Sequence, residues 1–83
     1  MAGYNSKIEH KGIIFLVQTQ DLGKPSNCVE SIIFKAGKAL APRKTFYTQH
    51  LSSPKLMATI NGIIKQQHNA IIEAIRSGKF DKG

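Results

Sequence analysis

The sequence is poor in the groups that reinforce small folds. Its 83 residues contain a single cysteine, Cys28, and no tryptophan. A chain of this length buries only about 60 to 65% of the surface that its unfolded form exposes, so small folds often need disulfides, a metal or a partner. Because Cys28 has no second cysteine in the chain, no internal disulfide can form. We therefore expect a reducing compartment, the cytoplasm.

Long apolar runs are also missing. The longest uninterrupted apolar stretch covers residues 13–17. A secretory signal needs roughly 7 to 15 apolar residues, and a membrane-spanning helix needs about 20. The sequence therefore predicts no membrane partner. It predicts one small domain over residues 1–83, beginning with a flexible leader over residues 1–6.

Acidic residues are scarce, which limits the chemistry available. Five Asp and Glu residues stand against 12 Lys and Arg residues, for a formal net charge of +7. No two carboxylates are spaced to pair locally, and the histidines at positions 10, 50 and 68 lack a zinc-ligand spacing, so we expect surface or boundary histidines. Cys28 is interpreted as a small buried side chain. The sequence predicts no enzyme, no cofactor and no metal site, and an enzyme built on Cys28 and a histidine is the weakest alternative.

Residues typical of β-strands fill the first half of the chain. The sequence predicts strands over 7–20, 28–36 and 39–49, separated by turn residues at 21–27 and 37–38. Gly12 divides the first run and is interpreted as a bulge. Pro42 lacks an amide proton, so the first half of the third run is expected to be an edge or a bulge.

Residues 53–77 carry the strongest structural signal. Ser53 and Pro54 are typical of a helix start, and Gly78 is typical of a helix end. The apolar residues that recur along one side are Leu56, Met57, Ile60, Ile63, Ile64, Ile71, Ala74 and Ile75. The order of elements predicts an α+β fold, in which a three-stranded antiparallel meander is followed by one long amphipathic C-terminal helix packed on the sheet.

Two apolar faces exceed what one sheet and one helix can cover. The apolar arc of the helix spans about 200°, wider than the roughly 100° stripe that one supporting surface covers. The first strand is apolar on both faces. We therefore expect a homodimer, because bare apolar patches are unusual on soluble monomers. The candidate interface residues are Ile13, Phe15, Val17, Gln67 and Ile72. Gln67 either meets its own copy across a two-fold axis or reaches a backbone group.

Cations cluster around the second hairpin. The candidate partner-binding or nucleic-acid-binding residues are Lys35, Lys38, Arg43, Lys44 and Tyr47. Cations beside aromatic rings are typical of single-stranded nucleic-acid binders, although lysines also protect exposed sheet edges. The sequence therefore favours a non-enzymatic intracellular interaction or assembly module, homodimeric, whose basic hairpin contacts an acidic protein. The alternative is a basic nucleic-acid-binding protein that uses the same hairpin.

Overall fold

The computed structural model describes residues 3–82. Its elements are β1 (Gly3–His10), β2 (Ile13–Asp21), β3 (Cys28–Lys35), β4 (Lys38–Ala39), β5 (Arg43–Phe46), a short 3-10 turn (Thr48–His50) and α1 (Leu56–Arg76). All strand pairs are antiparallel, in the order β1, β2, β3, with both β4 and β5 along the remaining edge of β3. The helix packs on one face of the sheet. The predicted α+β fold with a C-terminal helix on an antiparallel sheet is confirmed.

The run predicted as one strand over 7–20 is a hairpin of two strands. Lys11 and Gly12 have φ angles of 52° and 79°, and two successive positive φ angles make the tight turn that best suits a two-residue hairpin. Residues 3–6, predicted to be part of a flexible leader, form the first half of β1 because they pair with residues 17–20 of β2. Residues 1 and 2 of that leader lie outside the described part of the chain.

The third run is broken at Pro42, as the missing amide proton of proline predicts. Strands β4 and β5 both pair with β3, but the pairing register shifts by one residue between them, so the chain bulges at this point. The turn before β4 uses Ala36 and Gly37, with φ angles of 50° and 83°. Residues 47–49, predicted to continue the strand, leave the sheet and enter the 3-10 turn.

Helix α1 begins three residues later than the sequence predicts. The hydroxyl of Ser53 accepts a hydrogen bond from the Lys55 amide at 3.1 Å, so Ser53 closes a turn before the helix instead of capping it. The C-terminal end follows the prediction more closely. Gly78 has a φ angle of 85°, and the next amide, of Lys79, donates to the carbonyl of Ala74 at 3.0 Å. This left-handed glycine ends the helix.

The core between sheet and helix consists of two apolar clusters. The first contains Ile8, Phe15, Val17, Ile33, Ile71 and Ile75, and the second contains Val29, Tyr47, Ile60 and Ile64. Phe15 and Val17, predicted to lie at a dimer interface, are fully buried inside the chain. Ile13 is half-buried and packs against the same first cluster. A strand that is apolar on both faces does not reveal which face a helix covers, and the covered face is the one that carries these three residues.

The broad apolar arc of the helix is largely covered by its own sheet. Ile72, a predicted interface residue, is half-buried against the first cluster, and Leu56 and Ile63 pack against the second. Strand β1 makes the sheet wider than the expected meander, and the wider sheet covers more of the helix. Met57, which is 63% exposed, is the exception. The apolar surplus therefore lies on the sheet and not on the helix.

Candidate interaction surfaces

The sheet face that points away from α1 presents apolar side chains to solvent. It carries the even-numbered residues of β2, β3 and β5 and the odd-numbered residues of β1, because residues paired across strands share a face. Leu16 is 42% exposed and Phe46 is 55% exposed. We define the open face by its five large apolar residues, which are Ile14, Leu16, Ile32, Phe34 and Phe46. Ile14, Leu16, Ile32 and Phe34 are neighbours on β2 and β3, whereas the pair of Glu30 and Lys44 stands between them and Phe46. An exposed apolar surface of this kind is typical of a docking site.

Charges of both signs stand on the open face in equal number. Lys7 is paired with Leu16 and Glu9 with Ile14, while Glu30 and Lys44 are paired with each other. The ammonium nitrogen of Lys44 lies 3.9 Å from a carboxylate oxygen of Glu30. The open face is therefore close to neutral in a chain whose formal net charge is +7. Most of the positive charge lies elsewhere on the molecule.

A chain of polar side chains separates the two apolar clusters. His68 on α1 is bound on both sides, with Nε2 at 2.7 Å from the Ser6 hydroxyl and Nδ1 at 2.8 Å from the Thr19 hydroxyl. The hydroxyls of Thr19 and Ser31 lie 2.6 Å apart, and the Gln67 amide donates to Ser31 at 2.8 Å. We call these five residues the polar network. They join β1, β2 and β3 to the middle of the helix.

His68 does not lie at the surface or boundary, where the sequence predicted it. It is only 2% exposed, and burial lowers its pKa from the usual 6.5, so the imidazole is neutral near pH 7. A neutral ring has one donor and one acceptor nitrogen, and rotating hydroxyls on Ser6 and Thr19 satisfy either tautomer. The edge of the Tyr4 ring approaches the imidazole, with 5.4 Å between centroids. These contacts indicate a structural role, because a substrate cannot reach the buried ring.

The lowered pKa of His68 predicts that the protein loses stability in mild acid. The unfolded chain, with the ordinary pKa of 6.5, binds a proton more readily than the folded chain does. The free energy of unfolding should therefore fall as the pH drops below about 6.5, by at most about 1.4 kcal/mol per pH unit for one proton. Urea titrations between pH 7.5 and pH 5 measure this dependence.

A His68→Gln variant removes the titrating group, so its free energy of unfolding should depend less steeply on pH than that of the wild type, whatever its stability at pH 7.5. His50→Gln changes a histidine outside the polar network and serves as the matched control. It should keep the slope of the wild type. A slope that persists in His68→Gln would assign the proton uptake to another group.

Gln67 reaches the sheet, which is the second of the two roles that the sequence left open. Besides its bond to Ser31, its amide donates to the backbone carbonyl of Arg43 at 3.3 Å, and its carbonyl accepts a hydrogen bond from the Thr45 hydroxyl. Gln67 thus ties β3 and β5 to α1. Its polar groups are already paired inside the chain, so a second copy is not needed to satisfy them.

The four predicted cations of the hairpin divide between the two faces of the sheet, with three on the helix side and one on the open face. Lys35 donates to the Phe80 carbonyl at 2.6 Å and so holds the chain after α1, whereas Lys38 is exposed in β4. The Arg43 guanidinium lies 5.4 Å from the centre of the Phe80 ring on the helix side of the sheet. Lys44 lies on the open face. Lys38 shares a face with Lys35, its partner across the strand pair, and Lys44 is separated from the other three cations because side chains alternate along a strand.

Tyr47 is not available for stacking on a base. It is 3% exposed in the second apolar cluster, and its hydroxyl donates to an Asp21 carboxylate oxygen at 2.6 Å. Burial, followed by this hydrogen bond, raises the pKa of Tyr47 to about 12. The same carboxylate oxygen accepts the amide of Gly23 at 2.9 Å. The ring and its partner therefore hold the loop after β2.

A cleft of about 290 Å³ opens between β5 and α1. Its polar lining comes from Arg43, Lys44, Thr45, Gln66 and Gln67, and its apolar lining from Ile63, Ala70 and Ile71. Of the two cationic residues in this lining, Arg43 projects to the helix side whereas the Lys44 side chain projects to the open face, and the lining contains no carboxylate. The cleft therefore suits an anionic group attached to an apolar body.

Across residues 3–82, no three His, Cys, Asp or Glu side chains lie close enough together to hold a metal ion. Cys28 is a free thiol with 1% of its surface exposed, as expected for a small buried side chain. No helix in the described part of the chain is long and apolar enough to cross a membrane.

The sequence did contain a signal for the polar network. Thr19 and Ser31 fall on the same alternating positions as the buried apolar residues of β2 and β3, and His68 falls on the apolar stripe of the helix. Polar residues that interrupt three apolar patterns at one level indicate a buried hydrogen-bonded layer.

The chain matches no protein-family model, no curated protein and no solved structure.

Proposed function

We propose that this chain is a small non-enzymatic interaction module that assembles as a homodimer through the open face. The observation that carries the proposal is the apolar surface of the exposed Ile14 and Leu16 and the half-buried Phe34, on a sheet whose other face is covered by α1. Leaving such a surface in water is unfavourable, at about 25 cal/mol for each Å² of apolar area. A partner that covers it gains that free energy.

A second copy is the partner that the charges favour. The open face carries two lysines and two glutamates, so a two-fold axis can bring lysines of one protomer to glutamates of the other. An acidic partner would prefer a face with excess positive charge. The buried free thiol of Cys28 is compatible with the cytoplasmic location that we propose for the dimer.

Light scattering of the purified protein from micromolar to millimolar concentration tests the proposal. The mass should approach twice 9.1 kDa as the concentration rises. The transition should move to lower concentration at higher ionic strength if repulsion between the two net charges opposes association. A mass of one chain over the whole range would overturn the homodimer.

Single-stranded nucleic acid is a second candidate partner, favoured by the exposed ring of Phe46, which lies two residues after Lys44 and on the same face of β5. A double substitution of Arg43 and Lys44 by Gln should weaken binding of an oligo-dT strand and reduce its salt slope by about one for each lost phosphate contact. Fluorescence anisotropy at several salt concentrations measures both quantities. An unchanged slope would exclude these two residues as phosphate contacts.

A further inference from the structure

Strand β5 leaves one edge without a neighbouring strand. Among residues 3–82, β5 pairs with β3 alone. The amide of Tyr47 donates to the carbonyl of Asn27 at 3.0 Å, so these two residues are a hydrogen-bonded pair at the end of the β3–β5 ladder. Hydrogen-bonded pairs occur at every second position of an antiparallel ladder, so Arg43 and Thr45 also direct their backbone groups toward β3. Lys44 and Phe46 direct theirs toward the free edge.

The cleft lies beside this edge, on the helix side of the sheet. Arg43 and Thr45 project from β5 on that side, and Ile63, Gln66 and Ala70 face them from α1. No carboxylate of the described residues pairs with Arg43, whose described contact is with the Phe80 ring. Its guanidinium retains hydrogen-bond donors for an anion.

We propose that β5 and the cleft bind an extended acidic peptide of a partner protein as an added strand. The backbone of the peptide pairs with Lys44 and Phe46, and every second side chain enters the cleft. An acidic side chain there meets Arg43, and an apolar one packs against Ile63 and Ala70. The inference goes beyond homodimerisation, because the cleft is on the opposite side of the sheet from the open face.

The lining favours a peptide over a single strand of nucleic acid. Binding of unpaired bases usually needs exposed rings for stacking, and no aromatic residue lines the cleft. Tyr47 is buried, and Phe46 projects from the other face of the sheet. Free backbone donors and acceptors along an edge are instead what an extended peptide uses.

The first experiment uses a capped eight-residue peptide in which every second residue is alternately Glu or Val and the residues between them are Ser, labelled for fluorescence anisotropy with the full chain. Saturable binding is expected, and it should weaken about tenfold when Gln replaces Glu in the peptide or when Arg43→Gln is tested. Equal affinity for the Glu and Gln peptides would overturn the acidic specificity. Displacement of the bound peptide by an equimolar oligo-dT strand would overturn the choice of a peptide as occupant.

The second experiment separates backbone pairing from side-chain contact at one position. Phe46→Ala keeps the amide at the free edge, whereas Phe46→Pro removes it while leaving the β3 side of the ladder intact. Both variants lose the same ring from the open face, so any difference between them reports the amide. We expect peptide binding to persist in Phe46→Ala and to be lost in Phe46→Pro.

Amide hydrogen exchange of the wild type supplies a measurement that does not depend on a variant folding. Peptide binding should slow exchange at the amides of Lys44 and Phe46 and leave that of Thr45, already directed toward β3, nearly unchanged. Unchanged exchange at the first two amides in the peptide complex would overturn strand addition. Peptide binding that survives in a monomeric Leu16→Glu variant would separate this site from the homodimer.

Discussion

Ile64→Ala is expected to reduce the free energy of unfolding by about 2 to 5 kcal/mol. Ile64 is 1% exposed and packs with Val29, Tyr47 and Ile60 in the smaller of the two clusters. A smaller side chain leaves a cavity that few neighbours can close, because the polar network limits movement of α1 toward the sheet. The total free energy of unfolding for a chain of this length is about 4 to 12 kcal/mol, so the loss is a large fraction of it.

Lys65→Ala is the matched control, since it changes the adjacent residue on the exposed side of the same helix. Its effect should stay within about 0.5 kcal/mol. Urea denaturation of both variants at one protein concentration measures the difference, and the fixed concentration removes any contribution from association. Equal midpoints for the two variants would contradict the assignment of the buried helical face.

The fold class could be predicted because its signals are local and redundant. The apolar spacing of residues 56–75 defines a helix, and Gly78 ends it with a left-handed turn. Pro42 predicts the break between β4 and β5. The start of β1 could not be found this way, because Gly3 and Asn5 have low strand propensity and are held by pairing with β2.

The candidate surfaces depend on which face of the sheet the helix covers, and the local pattern of β2 is nearly symmetric. Phe15 and Val17 alternate with Ile14 and Leu16, so hydrophobicity alone does not distinguish inside from outside. The polar residues of β3 do not identify the solvent-facing side of the sheet either, because Glu30 and Ser31 occupy opposite faces. Pairing of Ser31 with Thr19, and of both with His68, places the helix on their side. These contacts join residues that are far apart in the sequence, so a local pattern does not reveal them.

Leu16→Glu is expected to weaken homodimerisation at least about a hundredfold, which corresponds to about 2.7 kcal/mol of association free energy. Leu16 stands centrally among the apolar residues of the open face, opposite Phe34 on β3 and Lys7 on β1. In the dimer, the new carboxylate would be buried among apolar groups and lose its hydration. In the separated chain, it would remain in water with the ammonium group of Lys7 across the strand pair, so the fold should persist.

Leu51→Glu is the matched control for that loss, because Leu51 is exposed to a similar extent, 38% against 42%, but follows the 3-10 turn outside the sheet. Both substitutions add the same charge and lower the net charge of each protomer equally, which by itself reduces repulsion between the copies. A mass that falls to one chain in Leu16→Glu and stays at two chains in Leu51→Glu therefore reports contact at the open face. Light scattering in which Leu16→Glu dimerises like the wild type would place the interface on another surface.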